Sequence, residues 1–324
     1  MTSEPRWAVA ILAAGKGTRM RSGVPKVMHE LADRPLIDHV VDLALGVARP
    51  QDVVVVVGHG AAEVGARARQ LGVSDVLQEP QLGTGDALRV ALDGLRHRPT
   101  EHLLVLSGDV PLLRPATVRR LMTAVSEETS AALLTAELDD PAAYGRVERD
   151  TDGWVRRIVE ARDASPEQLA IREVNAGVYA FRRTEADRAV AELGADNDQG
   201  EYYLTDVAEL LSNVGARVAP VPLDNPDEMQ GVNTRADLAR AGRVLNDMVL
   251  ADLMEAGVSV RDPETTWVDP RTEIGPDTVL EPGVVLKGAC RIGAGARIGA
   301  NCVLDSAAVA SGEEVRPLTY LTGE

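Results

Sequence analysis

Short apolar, β-branched runs alternate with amphipathic helical stretches as far as residue 112, and hairpin signals cluster between 131 and 181. After 268 an apolar residue recurs at every sixth position. These three observations predict an α/β chain, with an open Rossmann-like domain carrying an inserted antiparallel ribbon, a long linker helix and a short left-handed parallel β-helix. The expected boundaries are 1–233, 234–257 and 258–324.

Trp7–Ile11 reads as a first buried strand, and Leu36, Ile37, Val40, Val41, Leu43 and Ala44 recur at helical spacing within Pro35–Ala48. Val53–Val57 is an unbroken valine run, the pattern of a central strand covered on both faces. Ala61–Leu71 follows as helix, Asp75–Gln78 as a short strand, Gly85–Leu95 as helix and His102–Leu106 as strand. Strands expected at Ala131–Ala136, Gly145–Arg149, Trp154–Glu160 and Val174–Phe181, with a tight turn at Thr151-Asp152-Gly153, form the ribbon that walls a pocket. A helix at Leu204–Leu211 and a strand at Arg217–Val221 complete the domain. Thr234–Ala256 carries Leu238, Ala241, Val244, Leu245, Met248, Val249, Leu253 and Met254 at helical period, with Gly257 placed to end it.

In the tail, Val268, Ile274, Leu280, Leu286, Ile292, Ile298 and Leu304 keep one six-residue register. Small residues (Thr278, Cys290, Ala296, Cys302, Ala308) accompany them. Six residues per face and three faces per coil make the β-helix. The repeat is expected to fade near Val309, leaving roughly two coils whose apolar ends and faces need partners. Cys290 and Cys302 fall on different faces and read as packed small side chains, not as a disulfide or metal pair.

The 324 residues are 45% hydrophobic and 26% charged, ordinary for a globular chain, and no apolar run exceeds strand length. Residues 1–6 lack the layout of a secretory signal, two cysteines make no disulfide framework, and no Cys/His spacing suits zinc. A cytoplasmic protein is expected. The net charge of −16 argues against nucleic acid or an anionic membrane surface as a partner. Small anionic substrates remain possible where basic groups are concentrated locally.

Such a concentration lies directly after the first strand, in Leu12-Ala13-Ala14-Gly15-Lys16-Gly17-Thr18-Arg19-Met20-Arg21-Ser22-Gly23-Val24-Pro25-Lys26. Glycines 15 and 17 clear side chains from the backbone, so its N–H groups can face phosphate oxygens, and Arg19 and Lys26 add positive charge. Only three lysines occur in the chain, Lys16, Lys26 and Lys287, and two of them are here. Two commoner glycine motifs are excluded. The dinucleotide fingerprint fails at Met20, and the P-loop fails at Ala10, where its first glycine would stand.

The loop resembles, residue for residue, the L-A-A-G-x-G-T-R-M-x-S-x-x-P-K signature of sugar-1-phosphate nucleotidylyltransferases. Over the whole chain the resemblance is to the bifunctional N-acetylglucosamine-1-phosphate uridylyltransferase/glucosamine-1-phosphate acetyltransferase family. It implies UTP and a sugar 1-phosphate as partners, a role in cell-wall precursor synthesis and a homotrimer through the β-helix. The resemblance further implies that Leu12, Ala13, Ala14, Gly15 and Gly17, with Gln78, Gln81, Gly83 and Thr84 of Q-x-x-Q-L-G-T-G, hold the nucleotide, while Arg19 and Lys26 act on its phosphates. Gly145, Glu160 and Asn175 correspond to the family's sugar set, and Gln199–Asp206 is close to its N-acetylglucosamine branch. Asp109, at the end of a strand, and Asn233, in Gly231-Val232-Asn233, correspond to its Mg²⁺ ligands.

Read without the family, several of these have structural alternatives. Asp109 can cap the turn before Pro111, Glu160 can be a solvated strand residue, and Asn233 can cap the helix that follows. The acetyltransferase half is not carried over, because the repeat is short and no histidine lies beyond His102. Two other functions stay open at this stage. One is a nucleotidylyltransferase for another sugar phosphate or nucleotide, and the other is a non-catalytic sensor of sugar nucleotides.

Overall fold

A computed structural model of the protein describes residues 5–323. The chain forms two compact units, one of the described residues up to His29 with Pro35–Asn233, the other of Glu30–Arg34 with Thr234 onward.

The first unit contains β1 (Trp7–Leu12), α1 (Leu36–Leu45), β2 (Val53–Val57), α2 (Ala61–Gln70), β3 (Ser74–Leu77), α3 (Thr84–Gly94) and β4 (His102–Ser107). It continues with α4 (Pro115–Thr123), β5 (Ala131–Glu137), β6 (Arg146–Arg149), β7 (Val155–Val159), the single turn α5 (Pro166–Leu169), β8 (Glu173–Arg182), α6 (Arg183–Ala191), α7 (Asp206–Asn213) and β9 (Val218–Pro222). Among the described residues the main sheet has nine strands, with β9-β5-β8-β4-β1-β2-β3 as its path and β6–β7 off β8. β1 runs parallel to β2 and β4, whereas β8 is antiparallel to both β4 and β5.

Alternation along the strands divides the core in two. Val9, Ile11, Val53 and Val55 face one cluster with Val40 and Val41 of α1 and Val64 of α2. Ala8, Ala10, Val54 and Val56 face the other with Leu88 and Ala91 of α3 and Val207 of α7. Covering both faces explains why the strands read as apolar runs without polar alternation. The same burial separates the strands read as one ribbon. β5 and β8 belong to the main sheet, and only β6 and β7 project as a hairpin.

The second unit carries a three-faced parallel β-helix of hexapeptide type. Its faces hold four, four and three short strands among the described residues, so it has nearly four rungs where two coils were expected. The repeat does not fade at Val309. Partners lie twenty residues apart at Ser259↔Val279, eighteen apart from Trp267↔Val285 to Val285↔Val303, then seventeen apart from Arg291↔Ala308 onward, so one residue is lost from a corner there and the register resumes at Val315. The slip turns Ala307 and Val309 inward and leaves Ala308 exposed, correcting the inward position read for Ala308. Cys290 and Cys302 are buried and unpaired, in the small inward positions.

The helix α8 (Arg235–Glu255) begins at a capping box of Thr234 and Asp237. It does not hang free as a linker, since it lies along the first rung of its own unit. The buried Asn246 donates to Thr266 O (2.8 Å) and accepts from Val268 N (2.9 Å), and Leu250 enters the β-helix core.

Candidate active site

In a mostly parallel sheet, ligands collect beyond the carboxyl ends of the strands, where connecting loops diverge. Here β1, β3 and β4 end around a pocket of about 620 Å³. Leu12, Ala13, Ala14, Gly15 and Lys26 line it from the first loop, Gln78, Gln81, Gly83 and Thr84 from the third, Asp109 from the end of β4, and Glu160 and Asn175 from the opposite wall. Gly17, Arg19, Gly145 and Asn233 are not in that lining, but contacts tie each to it.

The loop after β1 is shaped by its glycines. Gly17 has φ +58, and a Cβ there would stand 2.5 Å from Lys26 Cβ, so only glycine lets Lys26 lie across the loop. Gly15 faces open space, with nothing within 4 Å of an added Cβ. Lys26 Nζ makes a short ion pair with Asp109 Oδ2 and a 3.2 Å hydrogen bond to Asn233 Oδ1, which also receives Arg19 at 2.9 Å. Ser107 Oγ donates to the second Asp109 oxygen at 2.6 Å, and Val232 N donates to Asp109 O at 2.8 Å. These bonds bring together two segments far apart in sequence. The cap of α8 is Thr234, so Asn233 is not needed there and its amide turns to the cationic pair.

The two oxygens converge on a cation, and a carboxylate with an amide carbonyl suits a hard divalent ion whose remaining ligands are phosphate oxygens and water. Asp109 and Asn233 are two such donors, both directed at Lys26 Nζ. The donor set therefore fits Mg²⁺ brought with a polyphosphate.

Gln78 is 3% exposed and spends both side-chain N–H groups on Gly83 O (2.9 Å) and Asp86 Oδ2 (2.8 Å). Both partners are acceptors, which settles the amide's orientation and leaves only its carbonyl oxygen for a ligand. The Thr84 hydroxyl accepts from Leu204 N at 3.1 Å, tying α3 to the 201–205 segment.

On the far wall, Glu160 accepts the Thr205 hydroxyl at 3.0 Å, and burial pushes its carboxyl above the usual range. Asn175 N donates to Gly145 O at 2.9 Å, so Gly145 reaches the site through Asn175. Glu160 is thus a bonded wall residue and not a solvated one.

Sequence reasoning passed over Gly58 and Tyr179, and marked Thr205 only as part of Gln199–Asp206. A Cβ on Gly58 would meet Gln81 Nε2 at 2.4 Å and Ala14 O at 2.9 Å, so this glycine seats both loops. Its position directly after the Val53–Val57 run was the available signal. No local signal marks Tyr179, whose partner is reached across a strand irregularity.

The open sheet with this glycine–lysine loop at its mouth belongs to a nucleotidyltransferase domain. Residues 9–213 match the family described as the MobA-like NTP transferase domain, and residues 271–306 match the bacterial transferase hexapeptide (six repeats). The bifunctional protein GlmU of Burkholderia mallei and that of Burkholderia pseudomallei are each 44% identical over 315 residues, 97% of this chain and 69% of theirs. The Burkholderia thailandensis protein is 43% identical over the same shares. The chain belongs to the GlmU family, and its catalytic activity is that of a sugar-1-phosphate uridylyltransferase. No helix among the described residues is long and apolar enough to cross a membrane.

Proposed function

We propose that the chain makes UDP-N-acetylglucosamine and pyrophosphate from UTP and N-acetylglucosamine-1-phosphate. The observation that carries this reading is the convergence of Asp109 and Asn233 on Lys26 at a pocket that Asn175 and Glu160 also line.

UTP lies with its base against Gln78, Gln81 and Gly83 and its phosphates along Gly15–Arg19. Because the Gln78 carbonyl is the free side, it accepts from the imide N–H of uracil. Asn175, Glu160 and the Gly145 backbone take the sugar. A phosphate oxygen of the sugar phosphate attacks the α-phosphorus in line, the new P–O bond forms, and the α–β bridge breaks to release pyrophosphate. That oxygen is already anionic, so no general base is required. Lys26 and Arg19 hold the phosphates and neutralise their charge, which makes positioning and electrostatics the main contributions. Asp109 and Asn233 would hold Mg²⁺, which supplies further neutralisation of phosphate charge when bound.

Assembly as a homotrimer is supported by the hexapeptide repeats and by one face of the β-helix. Trp267, Val285, Val303 and Tyr320 stand in register on successive rungs, with Trp267 37% and Tyr320 66% exposed. Equivalent positions on another face are Val279, Arg297 and Glu314. Use of UTP supports a cytoplasmic location, and the charge of −16 supports the absence of nucleic-acid and membrane partners.

The test is pyrophosphate release by the purified chain with UTP, Mg²⁺ and N-acetylglucosamine-1-phosphate, with and without EDTA. EDTA-sensitive release that falls by orders of magnitude in Lys26→Ala and Asp109→Ala, with their folds intact, is expected. Silence with this sugar and turnover of another refutes the sugar assignment, and full activity of either variant refutes the residue roles.

A further inference from the structure

We propose that Tyr179 is a specificity-determining residue whose hydroxyl holds the Asn175 carboxamide and adds its own proton to the remaining Asn175 N–H, so that the pair selects an N-acylated sugar phosphate over one with a free amine. The inference rests on the sugar-phosphate reading above and extends it to a residue that no motif marked.

Tyr179 lies within an apolar cluster and stacks on Phe181 with ring centroids 5.8 Å apart. A phenylalanine would serve that packing, and a hydroxyl placed there is costly unless it is hydrogen-bonded. Its partner is Asn175 Nδ2 at 2.6 Å. On its other side Asn175 Oδ1 accepts from Gly177 N at 3.0 Å. A backbone N–H can only donate, so the oxygen must face Gly177 and the nitrogen must face Tyr179. The amide is held from both ends.

The consequence concerns the hydrogens left over. The phenol oxygen accepts from Asn175, so its own proton is directed elsewhere. Burial and the nearby negative Glu160 push the phenol far above its usual range, which keeps that proton in place. Asn175 retains a second N–H. Asn175 and Tyr179 line the same pocket across a register shift in which four steps of β8 span two of β5, with Gly177 at φ +73. This stretch of wall therefore offers two donors. A carbonyl oxygen of an acylamino group has lone pairs for both, whereas an ammonium brings only further donors.

The experiment is steady-state pyrophosphate release by the full chain and Tyr179→Phe, using UTP with N-acetylglucosamine-1-phosphate or glucosamine-1-phosphate. Expected for Tyr179→Phe is a KM for the acetylated sugar raised about tenfold, the size of one lost hydrogen bond, with KM for UTP unchanged. Preference for the acetylated sugar falls by the same factor, and adding Tyr179→Phe to Asn175→Ala changes nothing further. Asn175→Asp, which keeps the shape but exchanges donors for an acceptor, shifts preference toward the amine and serves if Tyr179→Phe folds poorly. A wild-type sugar KM in Tyr179→Phe, an equal loss for both sugars, additive effects in the double variant, or an unchanged preference in Asn175→Asp overturns the proposal and leaves the uridylyltransferase reading standing. No turnover of either sugar by the wild-type chain refutes that reading and the role of Tyr179 together.

Discussion

Replacing Gly17 by alanine tests whether the glycine loop positions Lys26. The new Cβ would lie 2.5 Å from Lys26 Cβ, against the 3.4 Å at which ordinary contacts begin, so the two must separate by about 1 Å. The atom met is the root of the lysine side chain, which cannot swing aside without moving its backbone. The residue also sits at φ +58, where a side chain costs about 1–2 kcal/mol. A shift of that size pulls Nζ from Asp109 and Asn233, and a misplacement of about 1 Å costs on the order of a hundredfold in rate. Pyrophosphate release under saturating substrates should therefore fall about a hundredfold, while the melting temperature drops by only about 2–8 °C. Gly15→Ala is the internal control, because its Cβ meets nothing within 4 Å. It should melt with the wild type while KM for UTP rises, since the methyl enters the phosphate space. Wild-type kcat in Gly17→Ala would refute the reasoning, as would a melting loss in Gly15→Ala as large as that in Gly17→Ala.

Gln78→Glu should destabilise the first unit by about 3 kcal/mol, because two donors that satisfy Gly83 O and Asp86 become an acceptor facing acceptors. An unchanged denaturation midpoint would contradict this. Asp206 titrates at about 6, raised from 3.8 first by burial and then by Glu209, Glu160 and Asp163. The folded state holds that proton more tightly than the unfolded one, so the stabilisation is full below 3.8 and is lost as pH rises through about 6. At pH ~7.5, then, Asp206→Asn should raise stability by about 1 kcal/mol after allowance for solvent screening, and the difference should vanish toward pH ~4. Equal melting of the two proteins at the higher pH would exclude it. Trp267→Asp with Tyr320→Asp should convert the proposed trimer into monomers by light scattering at micromolar concentration, and an unchanged mass would move the interface to another face.

Much of the first unit was legible because its signals are local. A valine run needs only its own five side chains to declare a strand buried on both sides, and helical spacing declares the face of α1 or α3. The hexapeptide period is also local, which is why the tail could be read from 268 onward. What could not be read was the single-residue slip after Asp305, because a coil of seventeen residues becomes recognisable only when its strands stack on the coil before. The swap of Ala308 for Ala307 followed from that slip. The ribbon posed the same difficulty, since hairpin signals at β5 and β8 report antiparallel pairing but not the sheet that receives the strands.

In the pocket, residue types were readable and partners were not. By itself the sequence determined the order of elements, the glycine–lysine chemistry of the first loop and the β-helical tail, because each depends on residues within a few positions of one another. Only the tertiary structure decided that Lys26 meets Asn233 across 207 positions, that Gln78 has spent its donors, that Gly58 seats Gln81 and that Tyr179 holds Asn175. Those pairings depend on how distant loops close over a packed sheet and which polar atoms are then left facing one another. The closure is set by the sum of all the packing in the unit, which no short stretch of residues encodes.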